Sequence, residues 1–204
     1  MTDDDAKLDT EFFRRWLAAT AAAVDREAGR LTELDSAIGD ADHGVNLQRG
    51  FAAVTAVLEE QAPTTPGAVL TLAGRQLIAR VGGASGPLYG TLLRRTGKDL
   101  GDEATVTRQR LATALGAGVA AVAQLGGAQA GDKTMLDALL PAVEGLAESF
   151  AAARDAAAQG ALATVPLRAR KGRASYLGER SVGHEDPGAA SSALLVAALA
   201  EAAA

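Results

Sequence analysis

Cysteine is absent from the 204 residues. Disulfides and thiolate metal sites are therefore excluded, and a reducing compartment fits the composition. Aromatic residues make up only 3%, and no run of Val, Ile, Thr and aromatics alternates for long, so strand signals are nearly missing. No window of about 18 strongly apolar residues is free of charge, and no membrane span is expected. The N-terminal MTDDDAKLDTEFF has no apolar signal core. A formal net charge of −5 argues against a nucleic-acid partner. Together these absences point to the cytoplasm. What the chain does have is 48% hydrophobic residues, enough for one domain over residues 1–204 with a sizeable core. Alanine dominates, with the best helix propensity and a side chain small enough for helices to approach closely. The expectation is an all-α fold.

Helical periodicity supports this. Leu8, Phe12, Trp16 and Val24, with Phe13 and Leu17 beside them, mark one apolar face. Thr2 or one of Asp3 to Asp5 is placed to cap this helix, which should end near Gly29. Leu47, Phe51, Val54 and Leu58 mark a second helix, broken by Pro63-Thr-Thr-Pro66-Gly67. A third carries Leu70, Leu77 and Val81 and stops at Gly82-Gly83. A fourth has Pro87 in its first turn and runs to about Leu100. Leu111, Leu115, Val119 and Val122 give a fifth, closed by Gly126-Gly127. Leu136, Leu139, Val143, Leu146 and Phe150 give a sixth, opened by Asp132 or Thr134, with Pro141 as a candidate kink. The seventh covers Ala152 to about Val165 and is stopped by Pro166. A long polar loop runs from Lys171 to Asp186, and Pro187 begins the final helix. About eight helices with mostly short connections predict antiparallel neighbours.

The densest chemistry lies in Asp35-Ser-Ala-Ile-Gly-Asp40-Ala-Asp42-His43-Gly44. Three carboxylates this close repel one another unless something binds, and oxygen-only ligation suits Mg²⁺ or Ca²⁺ rather than zinc. A tight loop turned by Gly39 can bring all three to one ion, whereas one helix cannot. The N-terminus of the following helix favours an anion. A solvated acidic loop is the competing reading. Three other connections are also rich in glycine and functional side chains: Gly82–Gly86, Gly126–Thr134 and Lys171–Gly188. All four join an odd-numbered helix to the next even one, and in an up-and-down bundle such loops fall at the same end. They can therefore meet in one site.

The remaining candidates each carry a functional and a bland reading. His43 is a donor to phosphate, a plate beside the metal loop, or a histidine bonded to backbone. Asn46 is a cap or a polar ligand contact. Gly82-Gly-Ala-Ser85-Gly86 offers backbone N–H groups and the Ser85 hydroxyl to phosphate oxygens, or serves as a hinge; it lacks the Lys of a P-loop. Gly131 to Met135 reads as a capped helix start, in which Lys133 could also meet a phosphate. Met135 is core or touches a flat base. Arg168, Arg170, Lys171 and Arg173 form a basic cluster, either solvated or opposite a polyphosphate. No arrangement for a covalent nucleophile is visible.

The strings LDSAIGDADHGVNLQRGF, VGGASGPLYG, GDKTMLDALLPAV and RKGRASYLGERSVGHEDPGAASS, spread over residues 34 to 192, resemble in order and content the ADP-binding (L) subunits of bacterial dihydroxyacetone kinases. The resemblance implies an antiparallel eight-helix barrel with a nucleotide, ADP or ATP, at one end. It implies that Asp35, Asp40 and Asp42 hold two Mg²⁺ ions bridging the diphosphate. His43, Gly44, Val45 and Asn46 would lie against the phosphates with Ala84 and Ser85. Gly126 and Met135 would border the adenosine. Arg173, with a role in catalysis, and Asp186-Pro187-Gly188 would close the site. Ala41 fills a slot that is Gly in some relatives. The implied partners are a K subunit, which holds dihydroxyacetone covalently on a histidine, and an M subunit, a phosphotransferase protein that recharges the bound ADP. A homodimer stays open. So do two other readings: a kinase subunit using free ATP on dihydroxyacetone or another small ketose, and an ADP-dependent regulatory module.

Overall fold

The computed structural model describes residues 7–204. Eight α-helices follow one another: α1 Thr10–Ile38, α2 His43–Gln61, α3 Pro66–Arg80, α4 Ser85–Leu100, α5 Arg108–Gly126, α6 Leu136–Glu148, α7 Phe150–Ala163 and α8 Pro187–Ala202. Each packs on its sequence neighbours, and α8 returns to α1, so the helices close into an antiparallel ring around a continuous core. The ring is sealed by the buried Trp16 of α1, whose indole Nε1–H donates to the Leu195 carbonyl of α8 at 2.9 Å. Small residues set how tightly the staves fit. A Cβ on Gly74 would come within 2.6 Å of the Gly90 carbonyl, and one on Gly90 within 2.7 Å of the Gly74 carbonyl. Helices α3 and α4 therefore touch through backbone.

Four of the seven aromatics cluster at one end. Phe12, Phe13 and Trp16 lie in the first turns of α1, and Phe150 opens α7; their ring centroids are 5.3 to 6.0 Å apart in edge-on or tilted pairs. A short antiparallel pair, β1 (Leu8–Asp9) with β2 (Thr105–Val106), lies at that same end, with Leu8 and Val106 buried in the core. Two residues per strand are too few to leave an alternating pattern, so the all-helical expectation passes over them.

Several boundaries differ from those expected. Thr2 and Asp3 to Asp5 lie outside the described residues, and the cap of α1 is Asp9, whose Oδ1 accepts from the Phe12 N–H at 2.9 Å. Helix α1 does not stop at Gly29 but continues to Ile38; a single exposed glycine costs only about 1 kcal/mol, and the buried Leu31 and Ile38 extend the apolar face. Phe150 does not belong to α6. Ser149 is extended, and its Oγ accepts from the Ala152 N–H at 2.9 Å, so it caps a new helix. Helix α6 runs through Pro141. The segment from Lys171 to Asp186 is not an open loop. Arg173–Ser181 forms 3-10 turns, broken at Gly178 where φ is +57°. Ala174 and Leu177 cover Ile38 and Ala169 as a small satellite core.

Candidate functional site

The four odd-to-even connections meet at the end of the ring opposite the Phe12–Phe150 cluster, around a cavity of about 400 Å³. Its acidic side is built by α1 and α2 together. Because α1 runs to Ile38, Asp35 sits on its last turn and is buried, while Asp40 and Asp42 are exposed in the turn that follows. Asp35 Oδ2 accepts the Asp42 and His43 N–H groups at 2.9 and 3.1 Å. One carboxylate oxygen thus caps α2 from the neighbouring helix, and Asp42 makes no side-chain cap itself. Gly39 is required by more than the turn: a Cβ there would stand 1.9 Å from Asp35 Oδ1. Ala41 has φ +62°, a left-handed backbone that explains why glycine suits this slot.

The carboxylates of Asp35, Asp40 and Asp42 each present an oxygen within 4.8 Å of the others. Three hard anionic donors so close fit a Mg²⁺ seat, since the cation removes the repulsion that the bare cluster carries. Across the mouth, Arg173 Nη2 lies 3.0 Å from Asp40 Oδ2. The Arg173 side chain is 68% exposed, so this pair adds little to stability and leaves the guanidinium free to move.

His43 is buried and held at both ring nitrogens. Nδ1 lies 3.1 Å from Ser85 Oγ of α4, and Nε2 lies 2.8 Å from Ser191 Oγ of α8. Burial lowers its pKa below the ordinary value, against the pull of Asp35, Asp42 and Asp40. Held at both nitrogens, the ring is a tie between three helices. Ala84 and Ser85 line the cavity next to it. Gly44, Val45 and Asn46 do not line it. Gly44 is packed on α1, where a Cβ would meet the Ala28 carbonyl at 2.0 Å; Val45 is exposed, and Asn46 Oδ1 accepts from Arg49 Nη2 at 2.8 Å. Helix geometry still leaves the Gly44 and Val45 N–H groups without an intrahelical acceptor.

The far wall is apolar. Leu88, Val122, Leu125, Met135 and Leu136 line it, with Gly126 at its edge. Such a pairing of apolar wall and acidic mouth suits a flat base joined to a metal-bound phosphate. Asp186 begins α8: its Oδ2 accepts from the Ala189 N–H at 2.7 Å, and burial pushes its pKa up from 3.8 to about 7. Pro187 and Gly188 line the cavity beside it.

Lys133 is engaged with backbone carbonyls. It is fully buried with φ +64°, and its Nζ donates to the Thr164 carbonyl at 2.7 Å, to that of Val165 at 3.5 Å and to that of His184. It therefore straps the α5–α6 connection to the α7–α8 segment. Asp132 opens no helix; its Oδ2 accepts from the Gln129 N–H at 3.0 Å. The α6 entry is organised by Asp137, whose two oxygens accept from Gly131 and Thr134 N–H groups at 2.5 and 2.7 Å. Thr134-x-x-Asp137 is the spacing of a capping box, a signal the sequence reading did not use. Tyr89 and Ser191 were also missed. They stand inside apolar or small-residue helix patterns, where only the fold shows Ser191 against His43 and Tyr89 against Ser191.

The DAK2 domain matches residues 37–201. The chain is 44% identical over 200 residues to "PEP-dependent dihydroxyacetone kinase 2, ADP-binding subunit DhaL" of Listeria innocua, covering 93% of each protein. It is 41% identical over 198 residues to the DhaL ADP-binding subunit of Escherichia coli, covering 92% of this chain and 94% of that one. Among solved structures, the dihydroxyacetone kinase of C. freundii in complex with AMP-PNP and Mg²⁺ aligns with a TM-score of 0.75 at 28% identity over 96% of this chain. The chain spans about a third of that larger protein, 34% of its length. With four motifs meeting at one cavity and the match running through nearly the whole ring, this chain belongs to the DAK2-domain family of dihydroxyacetone kinase subunits.

Proposed function

We propose that the chain is the nucleotide-carrying L subunit of a dihydroxyacetone kinase, a single domain over residues 1–204 working in the cytoplasm with K and M partners. The observation that carries this reading is the joining, in one cavity, of three clustered carboxylates, an exposed arginine and an apolar wall. Asp35, Asp40 and Asp42 would hold two Mg²⁺ ions, which supply charge neutralisation for the phosphate oxygens. The Gly44 and Val45 N–H groups, with the positive end of α2, add to the phosphate seat. Met135 and Leu136 would cover the base. Arg173 would leave Asp40 to take up charge on the transferring group. Asp35 orients α2 through its two backbone bonds, so metal ligation and anion binding are built on the same residue.

In this reading ADP stays on the chain. The M protein phosphorylates it in place, and the chain then passes the phosphoryl group to dihydroxyacetone held on K. The test is to purify the chain from cells, measure ADP retained per chain after extensive dialysis with Mg²⁺, and then supply M, K and phosphoenolpyruvate-driven phosphotransferase proteins. Retained ADP and turnover that needs all three subunits are expected. Rapid exchange with free ATP and turnover without M would instead establish a kinase that consumes ATP. Partner binding without any turnover would leave regulation.

A further inference from the structure

The bonds made by Lys133 start a circuit that returns to its own neighbourhood in the cavity wall. We propose that Lys133 is a positioning residue for the base end of the cavity: its buried ammonium holds Met135 against Gly188 and so fixes the wall they form together. Lys133 lies two residues before Met135 and is 1% exposed. An ammonium that cannot reach water must place its three N–H donors on acceptors. The carbonyls of Thr164, Val165 and His184 supply three. The Lys133 backbone is left-handed, a conformation that glycine adopts without the cost to an L-residue. What the position requires is therefore the side chain.

From those carbonyls the circuit runs back through Thr164. Its Oγ1 donates to the Ala161 carbonyl at 2.6 Å and accepts the Asp186 N–H at 2.9 Å. Asp186 caps α8, and Gly188 stands in the first turn of that helix. There the path meets Met135: a Cβ on Gly188 would lie 3.5 Å from the Met135 nitrogen and 3.6 Å from its Cβ. Lys133, Thr164, Asp186, Gly188 and Met135 thus form a closed circuit. A second tie, from the Arg170 N–H to the Asp132 carbonyl at 3.1 Å, joins the same two segments by backbone alone. The acidic seat shares none of these bonds, since Asp35 binds only the start of α2. Lys133 therefore acts on the base end and not on the metal end. The position of Met135 follows from this geometry, while its effect on ligand affinity rests on the nucleotide reading.

The chain has two methionines, Met1 and Met135, so methyl-carbon spectra of the intact methionine-labelled protein hold two signals, assigned with Met135→Leu. Lys133→Leu is expected to shift or broaden the Met135 signal in the nucleotide-free protein. It should weaken Mg·ADP binding about tenfold, while Mg·pyrophosphate, which carries no base, stays within about twofold of the parent. Both are measured at a temperature where circular dichroism shows the variant folded. Because the chain lacks cysteine, Lys133→Cys carries a single thiol. Aminoethylation of that thiol in the unfolded chain rebuilds an ammonium at nearly the length of lysine, and refolding should restore both readouts. Equal weakening of the two ligands overturns the proposal, since it would mean general loosening. An unmoved Met135 signal overturns it too, as does undiminished Mg·ADP affinity or a rescue of stability alone. Should Lys133→Leu not fold, Thr164→Val takes its place: it cuts the circuit at the Asp186 N–H and keeps the ammonium, and an unmoved Met135 signal there overturns the proposal. If the parent binds no Mg·ADP while the Met135 signal moves and is rescued, the nucleotide reading falls and the positioning of Met135 stands.

Discussion

Neutralising Asp42 should make the metal-free protein more stable and the ligand-bound protein less so. Asp42 has two carboxylate neighbours, Asp35 and Asp40, with oxygens no more than 4.8 Å away. In a water-like dielectric each such pair repels by about 0.9 kcal/mol, a value already discounted for exposure. Asp42→Asn removes both pairs. It also gives up the favourable charge at the start of α2, worth about 0.3–1 kcal/mol, but no cap is lost, because the Asp42 side chain makes none. The net gain is about 1 kcal/mol, or roughly 2–4 °C in Tm for a chain of this size. With Mg·ADP at about a hundred times its Kd, the parent gains about 2.7 kcal/mol. Loss of one of three anionic ligands, at tenfold weaker affinity or worse, removes at least about 1.4 kcal/mol of that gain. The two melting curves should therefore exchange order when Mg·ADP is added. Calorimetry with and without ligand reads this directly, and raising salt should shrink the metal-free gain by screening. A metal-free variant clearly less stable than the parent, or an undiminished Mg·ADP increment, would refute the view that this cluster is a strained seat relieved by a cation.

Other outcomes follow from single residues. Ala41→Gly should stabilise the metal-free protein by roughly 1 kcal/mol, since φ +62° costs an L-residue about that much; thermal denaturation checks it. Lys133→Met leaves the Thr164 and His184 carbonyls without their donor and should cost about 2–3 kcal/mol, with faster amide exchange across residues 164–186. The folded-state pKa of Asp186 is raised from 3.8 to about 7, so the folded protein holds that proton more tightly. The stabilisation this gives is present below pH about 4 and is lost as pH rises through about 7, by up to about 4 kcal/mol. Asp186→Asn keeps an N-cap acceptor and should flatten that slope in denaturant titrations at stepped pH. Arg173→Ala should change stability by less than about 0.5 kcal/mol, yet lower phosphoryl transfer at least about a hundredfold.

The order of helices and the end of the ring that carries chemistry were legible in the sequence, because apolar periodicity and loop parity are local properties. The acidic seat was legible in its residues but not in its construction. Asp35 was read as a loop residue, and it is helical because the apolar stripe through Leu31 and Ile38 outweighs Gly29. By pattern Lys133 stands in a capped helix start, open to a phosphate contact. A lysine among glycines carries no sign that three carbonyls 31 to 51 residues away will surround it. The 3-10 turns over Ile38 were hidden for a similar reason, since Ala174 and Leu177 are apolar only in relation to a surface that the fold brings beneath them. The hydroxyls of Tyr89 and Ser191 left no periodic trace at all.

The packing of four aromatic rings at the end opposite the site has a dynamic consequence. Large rings and the short strand pair lock one end of the ring by dispersion and area, while the other end is held by hydrogen bonds, glycine turns and one strap of lysine. Local opening therefore has a direction. The staves can part at the loop end while their feet stay clamped, at a free energy well below that of global unfolding. Hydrogen exchange should rise in a gradient from Phe12 and Phe150 toward Gly39, Gly83 and Gly127. A ligand seated at the loop end would then act as the missing hoop of the barrel. It would slow exchange most where the empty ring is loosest, and entry and release would need no unfolding of the frame.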